Sequence, residues 1–310
     1  MAGTATPRSL PLVPRTARST SRVSLMDRWA GLALTAPALA IMVALMLYPL
    51  LYAVWLSFVQ WAPTESSFIG VDNYVRLFGD KIFWQGVGNT LFYTVWNVIL
   101  GTSMSMAMAL LMNRPTLLAR FLRLAVFLPV IISSAVAAIA WIWMFDTEFG
   151  LVNQLLKSSG LVDKGLPWLN SPHFAKWSIV IVNIWLGTGL SAMLLLAALQ
   201  NVPRELHEAA ALDGANLWHR FYYITLPYIR PTLLVVLTLK LIGSFKTFDQ
   251  VFIMTGGGPL YTTETILMYL YRHGFEYFDF GYAGAIGVVF FVLVSVLSIA
   301  QALILRGGRK

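Results

Sequence analysis

The chain has 310 residues, of which 58% are hydrophobic and only 12% are charged, about half the charged fraction of an ordinary soluble domain. Its apolar stretches are long enough to cross a bilayer, which takes about 20 helical residues, so the composition excludes a soluble basic protein despite the net charge of +8. The absence of cysteine excludes disulfides and thiolate metal sites.

The chain begins with a basic segment, residues 1–25, that is rich in Ser, Thr and Pro and contains no acidic residue. The apolar run that follows is far longer than the core of a signal peptide. We therefore expect residues 1–25 to form a disordered basic cytoplasmic tail, in which the arginines act as a topology signal.

Six apolar segments follow within residues 26–310, and each has the length of a membrane-spanning helix. They lie at about 30–60, 88–112, 124–145, 177–199, 228–254 and 282–305. The short alternating strands of a membrane β-barrel do not occur in this pattern. The sequence therefore predicts an all-α integral membrane protein, a six-helix transmembrane bundle embedded in the lipid bilayer.

The basic residues predict the orientation of the bundle. With the N-terminus inside, 14 of the 22 Lys and Arg fall in cytoplasmic segments, as the positive-inside rule requires. Both termini are then cytoplasmic, and the positive charge no longer indicates a nucleic-acid partner. Aromatic residues of the predicted outer loops, such as Trp61 and Trp84, are typical of an interfacial belt, or alternatively of a docking surface for an external partner.

The predicted cytoplasmic loop 200–227 contains a short helix of small and acidic residues. Pro203 is suited to its start and Gly214 to its end, and between them lies the run Glu208–Ala211. A helix with small side chains on one face can dock closely into a groove on another protein, although it can also be a simple connector. The chain has no phosphate-binding Gly-x-x-x-x-Gly-Lys-[Ser/Thr] loop and no paired zinc ligands, so we predict neither a catalytic nor a metal site.

The same loop resembles the signature loop of permeases from ATP-binding-cassette (ABC) importers. The residues that carry the resemblance are Glu208, Ala209, Ala210, Gly214, Ile224, Leu226 and Pro227. It implies that the helix inserts into a cleft of an ATPase subunit, with Glu208, Ala209, Ala210 and Gly214 as coupling residues. The chain itself would then bind no cofactor and would not be an enzyme, because ATP and Mg would be used by the partner ATPase.

Other segments resemble sugar permeases of the maltose-transporter type, among them Gly70–Phe78, Phe127–Pro129 and Thr255–Pro259. The resemblance implies a bacterial or archaeal cytoplasmic membrane, a second homologous permease subunit, an ATPase dimer and an extracytoplasmic solute-binding protein. It also implies a di- or oligosaccharide cargo, with glycerol 3-phosphate or another sugar phosphate as the alternative.

The resemblance further implies a substrate site on the fourth and fifth spans. The matching positions are Asn183, Leu186, Gly187, Leu190, Lys240, Gly243, Ser244 and Thr247. Helical spacing places most members of each set on one face. The glycines leave room for a solute or, equally, allow close helix packing.

Two lysines in the fifth span need separate explanations. Lys240 at mid-membrane costs roughly 2.5–3.5 kcal/mol to insert, so we expect it to line a cavity and contact an anionic or strongly polar group, or else to meet an acid on the partner permease. Lys246 and Asp249 are three residues apart and are predicted to pair with each other.

Three tryptophans lie within the predicted third and fourth spans. Trp141, Trp143 and Trp185 could stack on sugar rings, although packing is the commoner role of tryptophan in a membrane helix.

Two other classes of membrane protein are the alternatives. A secondary transporter usually has more spans, internal repeats and intramembrane carboxylates. A channel would need a filter-like motif. Neither pattern is evident in this sequence.

Overall fold

A computed structural model describes residues 25–62 and 65–307, so nearly all of the predicted tail lies outside the described residues. The described residues divide into two compact units, with the boundary between Leu51 and Tyr52. Within the described residues the only sheet is a short antiparallel pair, β1 (Val59–Gln60) with β2 (Ser67–Phe68).

The remaining regular structure is helical. The helices are α1 Leu25–Met42, α2 Tyr48–Leu56, α3 Asp72–Gly79, α4 Lys81–Met112, α5 Leu117–Ile131, α6 Ser134–Met144, α7 Leu151–Ser158, α8 Pro172–Gln200, α9 Arg204–Leu212, α10 Leu217–Arg220, α11 Leu226–Phe245, α12 Asp249–Met254, α13 Ile266–Tyr271 and α14 Phe280–Gly307. Wider π-helical turns occur at Val43–Leu47, Phe221–Thr225 and Arg272–Glu276.

Five helical segments are long and apolar enough to cross a membrane, and a bent pair can supply a sixth crossing. The single segments are Leu34–Leu56, Lys81–Met112, Pro172–Gln200, Leu217–Phe245 and Phe280–Gln301, and the pair is α5 with α6. Exposed leucine, isoleucine and valine side chains on these helices match a lipid environment. The prediction of a helical membrane protein is therefore confirmed.

The predicted third span, 124–145, is broken in its middle. Ile132 and Ser133 adopt extended backbone angles between α5 and α6, and the two helix axes differ by 111°. Pro129 in the last turn of α5 has no backbone N–H to donate, which favours an ending there. Non-helical backbone at membrane depth is tolerated where it lines a cavity, and this break does so.

The predicted fifth span, 228–254, is also interrupted. Helix α11 ends at Phe245, and α12 starts at Asp249 after three residues outside the helices. The interruption is bound by side chains from elsewhere, since Thr265 Oγ1 donates to the Thr247 carbonyl at 3.2 Å. It also removes the helical spacing on which the Lys246–Asp249 pair depended. That prediction is wrong, because the ion pairs of the described residues do not include this one, and Asp249 instead accepts a hydrogen bond from Ser134.

Helices α4, α8 and α11 form the core of the second unit. Small residues let their backbones approach closely, as is usual for helices packed in a membrane. Ser105 of α4 donates to the Thr188 carbonyl of α8 at 3.4 Å, and a Cβ on Gly189 would overlap the Val126 carbonyl of α5. The apolar part of this core includes Ala109 and Leu195, both fully buried.

On the predicted outer side, Asp80 joins three elements. Its carboxylate caps α4 by accepting from the backbone N–H of Ile82 and Phe83, and it accepts the hydroxyls of Tyr269 and Tyr282, the latter at 2.7 Å. Burial raises the pKa of Asp80, but these hydrogen bonds outweigh it and hold the pKa below its ordinary value. The start of α4 is thereby fixed to α13 and α14.

The Thr255–Pro259 run wraps around a buried ion pair. Glu264 has no exposed side-chain surface and pairs with Arg272 at 3.1 Å. Gly257 has φ +84°, and a Cβ there would overlap the Glu264 carboxylate, so this position requires glycine. Burial raises the pKa of Glu264, with Arg272 opposing the shift.

Candidate transport cavity and coupling loop

A cavity of about 430 Å³ lies between α4, α8 and α11, beside the two breaks. It brings together all eight substrate-site positions predicted from the sequence, namely Asn183, Leu186, Gly187, Leu190, Lys240, Gly243, Ser244 and Thr247. Positions from two distant spans therefore share one space, although they are separated by at least 50 residues in the sequence. A volume of this size is within the range of small-molecule pockets.

The Lys240 ammonium is the most unusual group in the cavity. The residue is 8% exposed, and Nζ donates to the Gly187 carbonyl at 2.7 Å. A Cβ on Gly187 of α8 or on Gly101 of α4 would lie 3.1 Å from Nζ. The space beside Gly187, which a larger side chain would fill, is therefore occupied by the Lys240 ammonium.

Hydrogen bonds among the lining residues fix α8 to the α11–α12 break and stabilise α11. Asn183 Nδ2 donates to Thr247 Oγ1 at 3.2 Å, which connects α8 to the break. Ser244 Oγ donates to the Lys240 carbonyl at 2.7 Å. Both Ser244 and Thr247 are 4% exposed, and these hydrogen bonds give their side-chain hydroxyls partners within the protein.

Further lining residues were not predicted from the sequence. They are Asn97, Pro129, Val130, Ile132, Ser134, Ser191, Leu239, Lys246, Asp249 and Gln250. Two of the polar groups, Ser134 and Asp249, line the cavity because the α5–α6 and α11–α12 breaks meet there. Asn97 is a buried amide of α4 in a predicted span without charged residues, and its position in the sequence alone did not indicate that it lines a cavity.

The tryptophans do not line this cavity. Trp141 and Trp185 meet edge to face at 5.7 Å and border a separate apolar pocket, whereas Trp143 is 77% exposed. The reason is helical phase, because residue 185 lies about 200° around the axis from residues 183 and 187. The proposal that Trp141, Trp143 and Trp185 stack on sugar in the predicted site is not supported.

The predicted coupling residues lie in and just after α9. This helix begins at Arg204, directly after Pro203, and ends before Gly214. Gly214 has φ +80°, its N–H donates to the Ala211 carbonyl at 3.1 Å, and the next N–H donates to the Ala210 carbonyl at 2.9 Å. This is a Schellman ending, for which glycine is the favoured residue.

The surface around α9 is open and partly apolar. Glu208 and Ala209 are exposed and Ala210 is half-buried. Leu212 is 91% exposed, and Leu217 and Trp218 are each 77% exposed. A cluster of exposed large apolar side chains next to a small-residue helix is typical of a protein-binding surface.

Comparison with known proteins defines the family. Residues 98–310 match the family model described as the inner membrane component of binding-protein-dependent transport systems. The chain belongs to this family. The match includes α9 and all eight predicted cavity positions, so both sites lie in the part of the chain that this family of transport components shares.

Relatives of known name cover nearly the whole chain. The sulfoquinovosyl glycerol transport system permease protein of Agrobacterium fabrum is 35% identical over 93% of this chain and 94% of its own length. The lactose transport system permease protein of Rhizobium radiobacter is also 35% identical, over 91% of this chain and 97% of its own length.

A solved structure supports the same assignment. A chain from a bacterial ABC transporter involved in the import of the acidic polysaccharide alginate is 25% identical to this one, with a TM-score of 0.80. The match covers 92% of this chain and 98% of the other. The chain is thus an ABC-importer permease, an integral protein of the inner membrane with the fold that the sequence predicted.

Proposed function

We propose that this permease imports a carbohydrate, a di- or oligosaccharide, as one subunit of an ATP-driven transporter. The observation that carries the proposal is the cavity, where amide, hydroxyl and ammonium groups of Asn183, Ser244 and Lys240 lie beside apolar surface from Leu186 and Leu190. Such a mixture suits the hydroxyls and C–H faces of a sugar. The relatives described above are named for carbohydrates, which favours this cargo over a phosphorylated polyol.

The proposed assembly contains a second homologous permease, an ATPase dimer and an extracytoplasmic solute-binding protein. The family description names a binding protein, and α9 supplies an exposed surface for an ATPase. The basic residues favour cytoplasmic termini, so α9 would face the cytoplasm. The chain carries no ATPase motif, so ATP and Mg would be used by the partner and no catalysis is assigned to this subunit.

The proposed mechanism is alternating access. A loaded binding protein docks on the outer loops, and ATP binding closes the partner ATPases around α9. Movement of Glu208, Ala209, Ala210 and Gly214 is transmitted to α8 and α11, which continue directly from the two ends of this loop. The cavity then opens outward, and after hydrolysis it opens inward and releases the solute.

The test is ATP hydrolysis by the complete transporter in proteoliposomes. The binding protein is added with each of a panel of neutral sugars, acidic sugars and sugar phosphates, with amino acids as the control class. One carbohydrate should stimulate hydrolysis, and it should accumulate inside right-side-out vesicles that enclose ATP and have the binding protein outside. Stimulation by an amino acid alone, or uptake without any ATPase subunit, would overturn the proposal.

A further inference from the structure

The Lys240 ammonium is buried and forms no ion pair with the described residues. An ammonium has three N–H donors, and among the described residues Nζ donates one hydrogen bond, to the Gly187 carbonyl at 2.7 Å. Because isolated buried charges are costly, the two remaining donors need an acceptor, and an anion suits them best.

The other charged groups of the cavity do not neutralise this ammonium. Among the lining residues, Lys240 and Lys246 are basic and Asp249 is acidic, which leaves a formal charge of +1. The Asp249 carboxylate accepts the Ser134 hydroxyl at the helix breaks rather than the ammonium. The described residues of the cavity therefore carry a net positive charge that no neighbouring group neutralises.

A second observation marks the same place. Asn97 of α4 lines the cavity and is 5% exposed, and its Oδ1 is buried without a hydrogen-bond partner among the described residues. It lies one helical turn before Gly101, the residue that borders the Lys240 ammonium. A buried amide without a partner loses its hydration and gains nothing in return, so a bound ligand is expected to supply the missing contact.

We propose that the cargo is an acidic carbohydrate whose carboxylate binds Lys240, while Asn97 binds a hydroxyl of the same sugar ring. The proposal rests on the proposed function and narrows its substrate class. The ammonium would donate two charge-assisted hydrogen bonds to the carboxylate, and the amide oxygen of Asn97 would accept the hydroxyl. A neutral sugar leaves the ammonium without a counter-charge, and that difference gives the site its selectivity.

The experiment compares two disaccharides that differ at C6, where one carries a carboxylate and the other a hydroxymethyl group. A galacturonate disaccharide and the matching galactose disaccharide are titrated into the purified complex of both permeases and the ATPases, without binding protein, and heat of binding is measured. The acidic disaccharide should bind ~10- to 100-fold more tightly, the range expected for hydrogen bonds to a charged group. Equal affinity for the two sugars overturns the proposal without any variant being made.

Variants then assign the residues. Lys240→Met should remove the preference for the acidic sugar, and Asn97→Leu should weaken both sugars by ~3- to 10-fold while keeping the preference. Lys157→Met makes the same change in net charge at an exposed site on α7 and should alter neither value. A preference that survives Lys240→Met contradicts the assignment.

Two further outcomes contradict the proposal for different reasons. If Lys240→Met prevents assembly with the second permease, the ammonium pairs with an acid of that subunit and is not a substrate contact. If neither disaccharide binds and the ATPase responds to an amino acid, the carbohydrate function has failed and the acidic preference fails with it. If the neutral sugar binds as tightly as the acidic one and stimulates the ATPase, only the acidic preference is contradicted and the carbohydrate function stands.

Discussion

The coupling loop and the cavity are built in opposite ways. Helix α9 and its Gly214 ending are formed by neighbours in the sequence, and the surface they present is exposed. The cavity is formed by Asn97, Asn183 and Lys240, which come from three helices and are brought together only by packing. A motif formed by sequence neighbours is suited to a contact that is the same throughout a family. In a cavity formed by distant residues, single substitutions can alter substrate specificity without altering the fold.

The largest expected effect belongs to the loop. Glu208→Ala should reduce stimulation of ATP hydrolysis by loaded binding protein more than ~10-fold, because the proposed contact with the ATPase would lose an exposed carboxylate and one of its few dominant residues. Solute binding to the cavity should be unchanged. Glu205→Ala removes the same charge one turn earlier on α9 and should retain most of the stimulation. Equal losses in the two variants would contradict a specific role for Glu208.

The ending of α9 gives a sharper version of the same comparison. Gly214→Val forces a β-branched residue into φ +80° and should uncouple the transporter, at a local cost of about 1–2 kcal/mol. Gly214→Asn should retain more activity, since asparagine adopts this conformation more readily. The ratio of ATPase stimulation in the two variants is the measurement, and similar activities would show that the helix ending is unimportant.

The cavity predicts a matched pair of glycine variants. Gly187→Ala places a Cβ 3.1 Å from the Lys240 ammonium, whereas a Cβ on Gly243 meets nothing within 4 Å. Gly187→Ala should raise the KM for uptake ~5- to 10-fold, because displacing Lys240 costs about 1 kcal/mol or more. Gly243→Ala should change the KM less than ~3-fold. A larger change in KM for Gly243→Ala than for Gly187→Ala would contradict the position of the ammonium beside Gly187.

Asp80 predicts a stability difference that depends on pH. Its pKa is lowered in the folded protein, so its contribution is complete above the ordinary value of 3.8 and is lost as the pH falls through the lower, folded value. Asp80→Asn should lower the free energy of unfolding by about 1–3 kcal/mol at pH 7, since the Tyr269 and Tyr282 hydroxyls lose a charged acceptor.

Thermal unfolding in detergent at pH 7 and at about pH 2, below the ordinary pKa of Asp80, checks this. The difference between wild type and Asp80→Asn should shrink at the lower pH. A difference that grows with acidity would mean that the carboxylate is not the stabilised form.

The smallest expected effect is the contact between Asn183 and Thr247. A double-mutant cycle with Asn183→Leu and Thr247→Val should give a coupling energy of about 0.5–1.5 kcal/mol for one neutral hydrogen bond. Thermal unfolding of the four proteins is the measurement. If the two substitutions have additive effects on stability, the hydrogen bond does not couple α8 to the α11–α12 break.

Much of the fold could be predicted because hydropathy alone identifies helices that must satisfy their backbone inside a bilayer. Pro203 and Gly214 likewise mark the bounds of α9 by local chemistry. The two helix breaks could not be predicted in the same way. Apolar residues continue around Ile132, and Thr247 is stabilised in its non-helical position by Asn183 and Thr265, residues far away in the chain.

The residues of the candidate site were also only partly predictable from the sequence. The eight cavity positions came from a family resemblance and helical spacing, and the structure places them together, but their contacts with cargo stay a prediction. Asn97 was missed because a single amide in an apolar span has no periodic signal. Its importance depends on Gly101 and Lys240, and that relation exists only after α4, α8 and α11 have packed.

The most direct test of the central claim uses the absence of cysteine from this chain. Ser244→Cys introduces a single thiol into the cavity, and a membrane-impermeant maleimide added to one side of proteoliposomes reports which side can reach it. Alternating access predicts that labelling switches from one side to the other between the nucleotide-free state and the state trapped with ATP and loaded binding protein. Labelling that stays on one side in both states, or that never occurs, would contradict a solute path through this cavity.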